Sequence, residues 1–188
     1  MKPAVIIVDM LEETYGKEGR IQPELAKIVA PVRDFLKSCR ALSIPVVFAC
    51  DSFLEGDFIF RGRMKPHSIR GTAGSRPAAA LAPAPEDIVL PKRRFSAFFK
   101  TDLDQTLRTM QIDTVAVAGI NTHFCVIATA LDAVCHDFYT ILLEDLSAAF
   151  KPEIHAAFMD AYRKSAMYPL FTVATGEEFL TRFHNDEP

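Results

Sequence analysis

Hydrophobic and polar positions alternate along this chain on two scales. Short unbroken apolar runs recur: "AVIIVDM" at 4–10, "IPVVFAC" at 44–50, "DIVLP" at 87–91, "TVAVAGI" at 114–120, "YTILLEDL" at 139–146 and "LFTVAT" at 170–175. An unbroken run of this length marks a strand buried on both faces. Between the runs, apolar residues fall at helical spacing in "PELAKIVAPVRDFLKSCRALS", "TDLDQTLRTMQI", residues 122–137 and "PEIHAAFMDAYRKSA", with "GEEFLTRF" as a short closing helix. Pro23 suits a first turn, Pro31 predicts a kink, and Thr101 is an N-cap candidate. Gly16 and Gly19 punctuate the polar loop after the first run. Strands alternating with helices predict an α/β fold whose parallel sheet is covered on both faces, with right-handed crossovers.

No internal repeat or interdomain linker interrupts the pattern, so residues 1–188 read as a single domain. Hydrophobic residues make up 49% and charged residues 24%, and the formal net charge is −3, with no long basic tract. These values argue against nucleic acid and anionic membranes as partners. The apolar run near the start is too short for the core of a signal peptide, and no stretch approaches the roughly 20 residues of a membrane span. The expected location is cytoplasmic. There, four cysteines without a C-x-x-C pair predict neither disulfides nor structural zinc. Cys39, Cys50 and Cys135 read as core filler.

Ligands of such sheets bind outside the carboxyl ends of the strands. The polar residues there are Asp9, Asp51, Lys92, the stretch from Asn121 to Cys125, Glu144 and Asp145. Three of them form a possible chemistry. A cysteine at a strand-to-helix junction meets free backbone N–H groups and the positive end of the helix. A nearby ammonium favours its thiolate, an aspartate carries protons to a departing amine, and the N–H groups hold an oxyanion. Each residue taken alone has a plainer reading: Asp9 as a loop cap, Lys92 as part of a solvated "PKRRF" turn, Cys125 as packing. His123 lies two residues from Cys125, a spacing that does not put two side chains on one helix face.

The pieces "IIVDML", "LPKRRFSAFFKTDLDQTL" and "VAGINTHFCVIATALDA", with "HSIRGTAGS" at 67–75 between the first two, are similar to the isochorismatase-like cysteine hydrolases. That family includes nicotinamidases and N-carbamoylsarcosine amidases, and the likeness runs from about residue 3 to about residue 175. The resemblance implies a three-layer αβα, Rossmann-like fold with strand order 3-2-1-4-5-6. It implies a triad of Asp9, Lys92 and Cys125, a cis peptide between Ile120 and Asn121, and an oxyanion hole from the N–H groups of Asn121 and Cys125. It also implies a homodimer or homotetramer.

The function expected is hydrolysis of a small-molecule amide C–N bond through a thioester on Cys125, without a cofactor. Phe53, Phe95, Phe98 and His67 are the expected pocket residues. Arg61, Arg63, Lys65 and Arg70 on the long 51–76 connection are candidates for a substrate carboxylate, a solvated surface or a subunit contact. Nicotinamidases of the family hold a metal with an acid, a histidine two residues on and a further histidine. Here Phe53 follows Asp51 at that spacing, so Asp51 with His67 is a poor set and no metal is expected. Alternatives are nicotinamidase proper, an isochorismatase-type vinyl ether hydrolase, which often lacks the cysteine, and a non-catalytic binding or assembly subunit. An aspartyl phosphatase would want an acid where Leu11 stands, and a dinucleotide enzyme would want G-x-G-x-x-G after the first strand.

Overall fold

In the computed structural model, described over residues 1–16 and 21–184, six strands form one sheet. They are β1 (Pro3–Val8), β2 (Val46–Asp51), β3 (Ile88–Lys92), β4 (Thr114–Ile120), β5 (Tyr139–Ala148) and β6 (Phe171–Ala174). All neighbours are parallel, in the order β3-β2-β1-β4-β5-β6. This is the expected α/β architecture and order. Gly19 lies outside the described residues.

Each strand turns alternate residues to opposite faces, and two separate cores result. On one face Val5, Ile7, Val46, Phe48, Cys50, Ala118 and Ile141 meet Val32, Phe35, Leu36 and Cys39 of α3 (Val29–Ala41). Phe179 and Phe183 of α7 (Gly176–His184) pack there too. On the other, Ala4, Ile6, Val8, Val47, Ala49, Leu90 and Val117 meet α4 (Leu103–Thr109), α5 (Ile127–Cys135) and α6 (Pro152–Arg163). Complete burial of each large aliphatic side chain contributes about 1.5–3 kcal/mol, so the two cores carry the fold.

The helix expected over 23–43 is divided. One turn, α2 (Pro23–Ala26), is followed by α3, with Pro31 in the first turn of α3. Proline has no N–H to give and its ring crowds the carbonyl four residues back, which is at Lys27, where the helix breaks. A further single turn, α1 (Glu12–Tyr15), follows β1. Residues 122–126 are not the start of a regular helix but one π-helical turn, Thr122–Val126, leading into α5. Cys39 and Cys50 are buried as expected, whereas Cys135, the last residue of α5, is exposed.

The long connection from β2 to β3 folds back over the strand ends. Phe53 pairs with Ile69 and Leu11 with Pro77, and Asp57 anchors the bend by accepting the Leu54 N–H and contacts from Arg93. Glu13 of α1 accepts the Ser68 N–H, tying this connection to the turn after β1. At the sheet's centre, where the chain changes its winding direction between β1 and β4, the ends of both strands open into the space this connection covers.

Candidate active site

The alternation of the strands decides which charges meet. Asp51 shares the face of Val47 and Ala49, and Lys92 shares that of Leu90. Asp51 and Lys92 are direct register partners across β2 and β3. Cys125 packs on this same face. Asp9 follows β1 in a left-handed conformation, φ 52°, with its N–H on the Ala49 carbonyl at 2.9 Å. That turn brings its carboxylate beside the same ammonium.

Lys92 donates from Nζ to Asp9 Oδ2 at 2.7 Å, to Asp51 Oδ1 at 2.5 Å and to the Arg94 carbonyl at 3.2 Å. Asp9 Oδ1 accepts the Asp51 N–H at 2.8 Å. One acceptor or donor atom from each of Asp9, Asp51 and Cys125 lies within 4.8 Å of the others. Lys92 is 1% exposed, and Asp9, Asp51 and Cys125 are 7% exposed each. The structure thus brings the expected triad together and adds Asp51 as a fourth member.

Burial and charge act against each other here. Burial opposes the ammonium of Lys92, but Asp9, Cys125 and Asp51 together hold its pKa above the ordinary lysine value. Burial first, and the charge of Asp9 second, push Asp51 up to about 7 against the pull of Lys92. Burial, then Asp9, also hold the Cys125 thiol well above its ordinary range, with Lys92 pulling the other way. Burial and Asp9 thus favour the thiol, Lys92 favours the thiolate, and the Asp9 carboxyl stands close enough to exchange a proton with the sulfur.

A cavity of about 350 Å³ opens onto this group. Its floor is Asp9, Asp51 and Cys125, with Ile120 and Asn121 beside them, and the peptide joining these last two is cis. Phe53, Phe95 and His67 line it as expected. Phe98 does not: it is buried in the core, stacked on His136 at 5.0 Å and near Phe138. The sequence reading missed Leu11, Thr14, Met64, Ser68, Phe124 and Phe150, which complete the wall. Phe95 and Phe124 stack at 5.7 Å along its edge. Arg61, Arg63, Lys65 and Arg70 are exposed and none is on the lining.

The residues present do not suit the metal of the nicotinamidases. Asp51 is taken up by Lys92, and Phe53 fills the place of the first histidine as a fully buried ring. His67 packs against Phe53 and Phe60, with Nδ1 on the Lys65 carbonyl at 2.9 Å. The remaining cluster of Asp9, Asp51 and Cys125 already surrounds an ammonium.

Known proteins share this fold. An N-carbamoylsarcosine amidase from Thermoplasma acidophilum is 35% identical, with a TM-score of 0.79 over 94% of this chain and 98% of its own. The pyrazinamidase of Pyrococcus horikoshii, solved in complex with zinc, is 26% identical, with a TM-score of 0.80 over 93% and 99%. The ureidoacrylate amidohydrolase RutB of Pantoea ananatis is 29% identical over 196 residues, which span 90% of this chain and 75% of that protein. Residues 3–175 match the isochorismatase domain. With that match over most of its length, and with the sheet order already described, the chain belongs to the isochorismatase family.

Proposed function

We propose that this protein hydrolyses the C–N bond of a small-molecule amide, with Cys125 as nucleophile. The observation that carries the reading is the buried Lys92 ammonium holding Asp9 beside the Cys125 thiol at the floor of the cavity. As the sulfur attacks the carbonyl carbon, the thiol proton passes to Asp9, and the carbonyl oxygen takes the negative charge toward the N–H groups of Asn121 and Cys125. The C–N bond then breaks, and Asp9 returns the proton to the departing nitrogen, leaving a thioester. Water attacks the thioester while Asp9 takes a proton from it, the C–S bond breaks, and the sulfur regains that proton as the acid leaves. Lys92 stays charged throughout and holds the Asp9 carboxyl in place through its hydrogen bond.

The walls support an acyl group that is largely apolar: Leu11, Phe53, Met64, Phe95, Phe124 and Phe150 outnumber the polar Thr14, His67 and Ser68. Amide hydrolysis is also the activity named for the Pantoea relative. A homodimer or homotetramer in the cytoplasm belongs to the same proposal, and sedimentation decides the oligomeric part of it. Among the described residues no helix is long and apolar enough to cross a membrane. The test is a panel of primary amides and ureido compounds scored for ammonia release by the wild type, Cys125→Ala and Cys125→Ser. Release by the wild type alone supports the reading. Equal release by Cys125→Ala overturns it.

A further inference from the structure

The turn that carries Cys125 is held from behind. Thr122 opens that turn, between Asn121 on the cavity lining and Cys125 three residues later. Thr122 is fully buried and is not part of the lining. Its hydroxyl lies 2.8 Å from Nδ1 of His155, in the first turns of α6. Within the turn, the Asn121 carbonyl accepts from the N–H of Phe124 at 3.0 Å and, at 3.4 Å, from that of Val126. A single π-helical turn is a rare local geometry that needs support from its surroundings.

The His155 ring has the right form to give that support. Burial lowers its pKa, against the charge and the backbone carbonyl of Glu144, so the ring is neutral near pH 7. With the ring hydrogen on Nε2, Nδ1 is free to accept the Thr122 O–H, and we assign that tautomer. Ring packing alone does not fix this arrangement, because His155 also borders a cavity of about 150 Å³ with Ile28, Ser147, Ala148 and Pro152.

We propose that His155 is a positioning residue for the reaction: by accepting the Thr122 hydrogen bond it fixes the turn that aims Cys125 and the neighbouring N–H groups at the substrate carbonyl. The proposal rests on the amidase reading above. Neither residue touches the substrate; both act through the placement of the turn. A displacement of about 1 Å in such a turn lowers turnover by as much as about 100-fold.

The test compares His155→Leu, Thr122→Val, their double variant and His155→Asn, whose Oδ1 falls close to the place of Nδ1. Two quantities are read: kcat and KM for the best amide, and the rate at which iodoacetamide alkylates Cys125. The expected result is a fall in kcat of about 10- to 100-fold in both single variants, with KM little changed. The double variant is expected to be no worse than either single one, and His155→Asn to recover most of the loss. The proposal is overturned by unchanged kcat in His155→Leu, by His155→Asn as impaired as His155→Leu, or by losses that multiply in the double variant. If His155→Leu does not fold, Thr122→Val, which removes the hydroxyl and keeps the shape, carries the same comparison. If the wild type hydrolyses none of the amides, the amidase reading fails on its own. Alkylation then decides the positioning role: a rate changed alike in His155→Leu and Thr122→Val and restored in His155→Asn sustains it, and an unchanged rate overturns it.

Discussion

Replacing Lys92 by methionine tests the electrostatics of the site. The Lys92 side chain is wholly buried and contacts both Asp9 and Asp51. Methionine is of similar length and apolar, so the substitution chiefly removes the charge. The two carboxylates then face each other with oxygens within 4.8 Å, and unit charges at that distance repel by about 3.5 kcal/mol at an effective dielectric of about 20. Removing one partner from a buried ion pair costs about 3–5 kcal/mol, which describes the same effect and is not added to it.

The pH dependence follows from Asp51, already pushed from 3.8 to about 7 by burial first and Asp9 second. Loss of Lys92 removes an opposing influence, so the folded-state value rises further. A carboxylate whose folded pKa lies above its unfolded value contributes stability that is full below the unfolded value and lost as pH rises through the folded one. Lys92→Met is therefore mild in acid and severe in base. The assay is urea unfolding at about pH 5 and about pH 8.5 for the wild type, Lys92→Met and Lys92→Met/Asp51→Asn. The expected loss is about 3–5 kcal/mol in base and less than half of that in acid, with the double variant regaining about 2 kcal/mol or more. A loss below about 1 kcal/mol in base, or an equal loss at both pH values, refutes the reasoning.

Three further outcomes follow from the same site. Asp9→Asn removes a charge that raises the Cys125 pKa, so the pH profile of Cys125 alkylation shifts toward lower pH while amide turnover is lost; a profile moved the other way contradicts the charge assignment. Gly119→Ala places a Cβ 2.2 Å from the Val8 carbonyl oxygen at φ 114°. The expected cost is about 3 kcal/mol in thermal or urea unfolding, and a neutral result shows that β1 and β4 separate more easily than described. Phe124→Ala opens the stacked edge of the cavity and raises KM for amides with apolar acyl groups more than it lowers kcat, with little change for small polar amides; equal effects on both classes remove Phe124 from substrate binding.

Most of the architecture was legible because it rests on local signals. Buried parallel strands announce themselves as unbroken apolar runs, and the polar residues that stop them, Asp9, Lys92 and the Asn121–Cys125 stretch, are the ones the fold gathers. What failed to show was what depends on register or phase. Asp51 joins Lys92 because β2 and β3 align those two residues, a non-local fact. Phe98 and Phe95 sit three apart in an irregular segment, with no period to say that one faces the core and the other the cavity. Cys135 was expected inside, but the buried face of α5 runs through Ile127, Ala130 and Ala133, and Cys135, two residues past Ala133, turns away from it to the surface. The Thr122–His155 contact joins residues 33 apart in the chain, and no motif signals it.

The most direct measurement is the mass of the intact protein, quenched during turnover of an amide or activated-ester substrate, with the modified peptide located. The account predicts an acyl adduct on Cys125 that accumulates and decays in the wild type and is absent from Cys125→Ala. Turnover that persists in Cys125→Ala, or an adduct on another residue, would contradict it.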